Sequence, residues 1–190
     1  PITALMFAEI AAEILPRGVL SIIVDDNDLG GHLSSHPDIA KVSFTGSTAT
    51  GKKVMQSGAD TLKRITLELG GNDAALVLED ADIDQQARRI FGSAMVNSGQ
   101  VCVAVKRIYA PRSKYDALCE KLAQLADEAI VDDGMKQGAE LGPVQNAMQF
   151  EKLKGFLKDA SESVRCDRRR GCDGKGRLFR EANCRPRRSR

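Results

Sequence analysis

The sequence is poor in aromatic side chains and contains no long apolar run. Phe and Tyr make up 4% of the 190 residues and Trp is absent, so a core must be built from Ala, Val, Ile and Leu. No stretch of about 18 apolar residues occurs, which predicts a chain that does not span a membrane. The basic-then-apolar order of a secretory signal is also absent. We therefore expect a cytoplasmic protein, and we interpret the start at Pro1 as a chain entered partway through.

Charge is distributed unevenly along the chain. The formal net charge is +2, but residues 164–190 contain ten Arg and one Lys against two Asp and one Glu. This segment therefore carries +8 and the remainder carries −6. Because residues 164–190 offer few apolar side chains to bury, we predict a basic, disordered tail that begins after Ser163. The tail also contains three of the five cysteines, Cys166, Cys172 and Cys184.

Helical and strand-like patterns alternate through residues 1–163. Apolar residues recur at helical spacing in four segments, 3–14, 48–56, 83–96 and 146–160. Asn146 is expected to cap the last of these. Ser113 is expected to cap a fifth helix that runs through Ala129. Strand-like runs occupy 19–24, 41–45, 64–67, 74–78 and 103–110. Such alternation predicts an α/β fold with a largely parallel sheet.

A glycine-bearing turn joins the strand at 41–45 to the helix at 48–56. Its sequence is Phe-Thr-Gly-Ser-Thr-Ala-Thr-Gly, residues 44–51. The N-terminus of a helix attracts a pyrophosphate, because its backbone N–H groups point outward and its dipole favours an anion. Gly46 would let the backbone approach closely, and the Ser47 hydroxyl can donate to a phosphate oxygen. The spacing departs from the usual dinucleotide fingerprint, so the turn alone fits a structural connection equally well.

Two further motifs contain residues capable of covalent and acid–base chemistry. Glu68 ends an apolar strand and precedes Leu69 and two glycines, where either a general base or a surface carboxylate would fit. Cys102 follows Asn-Ser-Gly-Gln-Val in a segment predicted to be a loop, where a thiolate can meet a substrate; an inert core thiol is the alternative. Cys119 lies within a predicted helix, and we assign it packing only.

In this order and at these intervals, the three motifs resemble the aldehyde dehydrogenase superfamily over about residues 1–163. The matching residues are Phe-Thr-Gly-Ser, Glu-Leu-Gly-Gly and Gly-Gln-x-Cys, with Glu68 and Cys102 separated by 34 positions. Arg107 after the cysteine extends the match. The resemblance implies an incomplete Rossmann-like cofactor domain at 1–69, joined to part of an α/β catalytic domain at 70–163.

The resemblance also implies a mechanism and a cofactor, NAD or NADP. Cys102 would attack the carbonyl of an aldehyde as a thiolate, and hydride loss to the nicotinamide would leave a thioester. Glu68 would act as general base, and the backbone N–H of Cys102 would form half of an oxyanion hole. No metal is implied.

The cofactor would contact the chain at five positions implied by the same resemblance. Gly46 and Ser47 would lie at the pyrophosphate, and Thr50 and Gly51 near the adenosine. Leu69 would approach the nicotinamide through its backbone.

Other parts of the family's site lie outside this sequence. They are an upstream oxyanion-hole Asn, a Lys that holds the cofactor ribose, and a downstream Glu-x-Phe-Gly-Pro segment. We therefore expect the chain to be inactive alone, as a non-catalytic remnant of an enzyme that oxidises a small-molecule aldehyde. Intact family members are homo-oligomers, and assembly of this piece is doubtful.

Two hypotheses concern the tail. One choice of codons for residues 164–186, read one nucleotide later, encodes an apolar strand, two glycines and Gly-Tyr-Phe, as the family has here. We therefore hypothesise a single frameshift near Ser163. The weaker hypothesis is a nucleic-acid-binding tail, because Arg attracts phosphate. The spacing of its three cysteines does not fit a zinc site.

Overall fold

The computed structural model describes residues 1–26 and 28–163, so the hypotheses on the tail concern residues outside the described part. The chain forms two compact units, Pro1–Gly70 and a second that begins at Gly71. Within the described ranges, each contains one pair of parallel strands with a helix in the connection between them. The predicted α/β class with parallel strands is confirmed, because both strand pairs are parallel.

The first unit contains two helices followed by a strand–helix–strand segment. The strands β1 and β2 pair in register from Lys41 opposite Arg64 to Thr45 opposite Glu68. Helix α3 makes the crossover and buries Gly51, Val54 and Gly58. The elements are α1 (Ile2–Ile14), α2 (Leu29–Ser35), β1 (Lys41–Thr45), α3 (Thr48–Ala59) and β2 (Arg64–Glu68).

The prediction of a strand at residues 19–24 is wrong. This segment forms no regular element and pairs with no strand among the described residues, and Val19 and Ile23 are more than 60% exposed. An apolar run becomes a strand only when a neighbouring backbone satisfies its N–H and C=O groups, and β1 pairs with β2 instead. Helix α2 was not predicted, because Gly30 and Gly31 in its first turn are poor helix formers.

The second unit has a small core between its strands and two helices. Strand β3 pairs with β4, and the core consists of Val77, Ala87, Ile90, Leu118 and Leu122. Helix α4 contributes Ala87 and Ile90, and α5 contributes the two leucines. The elements are β3 (Asp73–Leu76), α4 (Ile83–Met95), a 3₁₀ turn (Val96–Gly99), β4 (Val105–Tyr109), α5 (Arg112–Glu128) and α6 (Ala147–Ser163).

Helix capping in this unit matches the sequence at one of the two predicted positions. The Asn146 carboxamide oxygen accepts from the Gln149 N–H at 2.9 Å, which confirms the predicted cap of α6. Ser113 does not cap α5, so that prediction is wrong. Pro111 is the N-cap, which places Ser113 inside the first turn, where its hydroxyl donates to Glu79. Within the described ranges, no helix combines the length and apolar character needed to cross a membrane.

Candidate active site

The predicted phosphate-binding turn lies at the carboxyl end of β1, where α3 begins. Ser47 is the N-cap of α3, and its hydroxyl oxygen accepts from the Thr50 N–H at 3.1 Å. The Gly46 N–H continues the ladder by donating to the Glu68 carbonyl at 3.0 Å. Among the described residues, the N–H groups of Thr48 and Ala49 have no acceptor. Two exposed donors therefore remain at the positive end of a 12-residue helix, which fits a pyrophosphate.

The two glycines of this turn have different structural roles. A Cβ on Gly46 would stand 2.5 Å from the ring of Phe44, so the residue lets the chain turn tightly against its own strand. Gly51 is buried, and a Cβ there would stand 2.6 Å from Cδ2 of Leu69. Gly51 therefore allows α3 to pack closely on Leu69, the residue that follows β2. The face of α3 that contains Gly51 is turned towards protein and not towards solvent.

Glu68 and the turn residues lie at one end of the two-stranded sheet. Glu68 is the last residue of β2, opposite Thr45, and it is exposed. The Glu68 carbonyl holds Gly46, while Leu69 contacts α3. The first unit thus brings together the predicted base and all five residues predicted to contact the cofactor.

Removing the Ser47 cap should weaken the first unit. We expect Ser47→Ala to lower the free energy of unfolding by about 1 kcal/mol, because the Thr50 N–H loses its acceptor. Ser47→Asp keeps an acceptor at the N-cap and should leave stability near the original value. Urea unfolding followed by circular dichroism measures both changes. Equal destabilisation by the two substitutions would contradict the capping role.

Cys102 lies in an exposed turn between the 3₁₀ turn and β4. Its carbonyl oxygen accepts from the Lys106 ammonium at 2.8 Å. Gly71 lies against the same carbonyl, because a Cβ on Gly71 would overlap that oxygen and stand 2.6 Å from Oδ2 of Asp73. The second of the paired glycines therefore allows a close approach of two backbone segments, the one that leads into β3 and the one that leads into β4.

The backbone before Cys102 is held in an uncommon conformation. Asn97, Ser98 and Gly99 have φ values of 50°, 56° and 78°, all in the left-handed region. Non-glycine residues adopt this region at a cost, and such strain persists only where surrounding contacts hold it. Ser98 provides one contact, since its hydroxyl bonds both the carbonyl and the N–H of Gly142 at 3.0 Å.

Gln100 ties the same loop to the segment that follows. Its carboxamide oxygen accepts from the Gln145 N–H at 2.9 Å, and its nitrogen donates to the Asn97 carbonyl at 3.1 Å. The loop before Cys102 is therefore anchored to residues 142–145, more than 40 positions along the chain. The Gly-Gln motif marks this loop in the sequence, but nothing in the sequence predicts its partners.

Arg107 holds the backbone that leads from the paired glycines into β3. Its guanidinium donates twice to the Asn72 carbonyl, from Nε at 2.9 Å and from Nη2 at 2.6 Å. Glu68 belongs to the first unit and Cys102 to the second. The family resemblance also implies that these two residues face each other across a cleft, and that arrangement stays a prediction.

Comparison with known proteins decides the family. The sequence model described as "Aldehyde dehydrogenase family" matches residues 1–179. The chain belongs to the aldehyde dehydrogenase family. The match extends past Ser163, where the sequence resemblance was expected to end.

Relatives and solved structures agree with the family match. A probable aldehyde dehydrogenase from a Pseudomonas species is 42% identical over 90% of this chain and 36% of its own length. The aldehyde dehydrogenase of Bartonella henselae is 37% identical, with a TM-score of 0.81 over 86% of this chain and 35% of its own.

Another solved structure that the chain resembles contains both a cofactor and an aldehyde. It is a cysteine-to-alanine mutant of aldehyde dehydrogenase C from Pseudomonas syringae, in complex with NAD+ and octanal. It is 33% identical, with a TM-score of 0.81 over 86% of this chain and 34% of its own. The chain described here thus spans about a third of the length of the relatives that it matches.

Proposed function

We propose that this chain carries the nucleophile, the general base and the pyrophosphate-binding turn of an NAD(P)+-dependent aldehyde dehydrogenase. The observation that carries the proposal is the exposed Cys102 in a braced turn, within a chain of this family. The structure of a family member with NAD+ and octanal supports the same substrate and cofactor classes. The compact units would be parts of the cofactor domain and the catalytic domain, dividing at Gly70.

Cys102 would open the reaction. Its thiolate adds to the carbonyl carbon of the aldehyde, a C–S bond forms, and the carbonyl electron pair moves onto oxygen. The backbone N–H of Cys102 would stabilise that oxyanion, since the described residues offer it no other acceptor. NAD(P)+, when bound, supplies the hydride acceptor that makes the carbonyl carbon an acyl group.

Glu68 would complete the reaction. Its carboxylate takes a proton from water, the hydroxide adds to the Cys102 thioester, and the C–S bond breaks to release a carboxylic acid and the thiolate. Its exposure at the end of β2 leaves the carboxylate open to water. The geometry of the pair is part of the proposal.

The α3 N-terminus would hold the pyrophosphate. The exposed N–H groups of Thr48 and Ala49 would donate to it. The Ser47 hydroxyl would donate as well when Thr50 is the donor in the 3.0 Å bond between the two hydroxyls. Thr50 would lie towards the adenosine, while Gly51 would act indirectly by seating α3 against Leu69. We further propose a cytoplasmic location, where a catalytic thiol stays reduced.

A non-catalytic chain with the same fold is the alternative. The apolar face of α1 favours it, because Phe7, Ile10 and Ile14 are 57–74% exposed. Exposed apolar surface of this kind normally contacts a partner or further chain. A homo-oligomer, as expected for intact family members, stays a proposal for this chain.

The deciding experiment follows NAD(P)H formation at 340 nm with the purified chain, a panel of aldehydes and the Cys102→Ala variant. Turnover that disappears in Cys102→Ala would place the whole reaction on this chain. Without turnover, acylation by p-nitrophenyl acetate that depends on Cys102 would limit the chain to the nucleophile's half of the reaction. If neither occurs, the chain is the non-catalytic alternative.

A further inference from the structure

Lys106 binds the turn that contains Cys102 at three points. Its ammonium donates to the carbonyl oxygens of Val101 at 3.0 Å, Cys102 at 2.8 Å and Ala104 at 2.8 Å. In the part of the chain that the structure describes, Lys106 forms no ion pair with a carboxylate. An ammonium group has three protons to donate, so these carbonyls use its full capacity. Within the described ranges, the Lys106 ammonium thus donates only to backbone carbonyls of the turn that contains Cys102.

These bonds fix the direction of a neighbouring N–H group. The described residues contain no cis peptide bond. In a trans peptide the C=O of one residue and the N–H of the next point in opposite directions. With the Val101 carbonyl directed at Lys106, the Cys102 N–H of the same peptide unit must point away from the ammonium. No described residue accepts a hydrogen bond from this N–H.

The ammonium also strengthens the donor that it orients. A carbonyl that accepts from a cation is polarised, and the N–H of the same peptide unit becomes a better donor through this cooperativity. Orientation and polarisation act on one group, the N–H beside the thiol. An N–H group that lies beside a nucleophile, makes no other hydrogen bond and is polarised in this way is suited to donate to an oxyanion.

We propose that Lys106 is a positioning residue that aims the backbone N–H of Cys102 at the oxyanion formed when the thiol attacks a carbonyl. This inference rests on the proposed function, because it assumes that Cys102 is the nucleophile. Lys106 itself does not touch the substrate. A purely structural role would instead hold the turn in place without affecting one reaction of the thiol more than another.

Two reactions of the same thiol separate these roles. Acylation by p-nitrophenyl acetate passes through a tetrahedral oxyanion, whereas alkylation by iodoacetamide displaces iodide and forms none. Both are measured on the full chain without cofactor, with peptide mass spectrometry used to follow Cys102 separately from the other cysteines. The ratio of the two rates reports the oxyanion donor alone.

The variants are Lys106→Met, Lys106→Arg and a matched control. Lys106→Met keeps the length of the side chain and removes its donors, and we expect acylation to fall about 10- to 100-fold. Alkylation, which depends on the thiolate and its access, should stay within about twofold. Lys106→Arg keeps a cationic donor, so its loss of acylation should be only about threefold. The control is Lys114→Met, because the Lys114 ammonium donates to the Ala81 carbonyl at 3.2 Å.

Each other outcome overturns the proposal. Equal losses of acylation and alkylation in Lys106→Met would assign Lys106 a structural role, and unchanged rates would assign it none. A wild-type chain that is alkylated but not acylated would refute the oxyanion donor together with the nucleophile role of Cys102. If Lys106→Met does not fold, the Arg variant decides. Its altered donor geometry should lower acylation about threefold, with alkylation unchanged.

Discussion

Replacement of Cys102 by serine is expected to lower ester acylation, and any aldehyde oxidation by the chain, at least about 1,000-fold. A thiol is partly ionised near neutral pH and is a strong nucleophile, whereas a serine hydroxyl needs an adjacent general base. Among the described residues, no hydrogen bond joins the Cys102 side chain to such a base. The hydroxyl would therefore remain protonated and unreactive. Stopped-flow release of p-nitrophenolate measures the loss.

Cys119 provides the matched control. It is the other cysteine in the described part of the chain, half-buried on α5 and not in a disulfide. Cys119→Ser should keep the acylation rate within about threefold and lower stability by about 1 kcal/mol. If acylation fell in Cys119→Ser and persisted in Cys102→Ser, the nucleophile would be misassigned. Loss in both variants, with native circular dichroism, would show that neither substitution isolates the reaction.

The regular elements of the fold were largely predictable because their signals are local. The helical spacing at residues 83–96 predicted α4, which ends at Met95. Asn146 predicted the start of α6, since an N-cap satisfies an N–H only two or three positions away. The parallel arrangement followed from alternation of strands and helices, and both strand pairs have it. These inferences need no knowledge of distant residues.

The errors arise where distant residues decide the structure. Residues 19–24 have the composition of a buried strand, but a strand forms only beside another backbone. Ser113 has the right side chain for a cap, yet Pro111 sets the helix start two residues earlier. Helix α2 forms despite Gly30 and Gly31, and it is tied to α3 by the bond between Ser34 and Ser57. Propensity is a weak guide where such contacts compete with it.

The candidate site shows the same division. Cys102, Glu68 and the turn at Ser47 could be proposed from the sequence, because each motif combines a reactive or polar group with glycines. The residues that hold Cys102 were not. Lys106 resembles any exposed lysine in sequence, and its importance comes from three carbonyls that converge on one ammonium. The reactive residues of a site can be recognised by their residue types, whereas the contacts that position them depend on backbone geometry.

Gly71→Ala is expected to have the second-largest effect on acylation, because the glycine lies against the backbone of the turn that contains Cys102. An added Cβ would overlap the Cys102 carbonyl oxygen and stand 2.6 Å from Oδ2 of Asp73. The carboxylate can rotate, but the carbonyl oxygen can move only with its peptide. We expect the free energy of unfolding to fall by about 1–3 kcal/mol. Acylation of Cys102 should fall about 100-fold, the usual effect of displacing a reacting group by about 1 Å.

The neighbouring glycine makes the test specific. Apart from its neighbours in the chain, no described residue has an atom within 4 Å of the position where a Cβ on Gly70 would stand, so Gly70→Ala should change both stability and acylation little. The two variants make the same substitution at adjacent positions. A difference between them in stability or acylation can therefore not be explained by composition or helix propensity. Urea unfolding and p-nitrophenyl acetate acylation give the two readouts. Loss of acylation in Gly70→Ala but not in Gly71→Ala would mean that the paired glycines serve the chain through flexibility, and that close packing on the Cys102 carbonyl does not align the nucleophile.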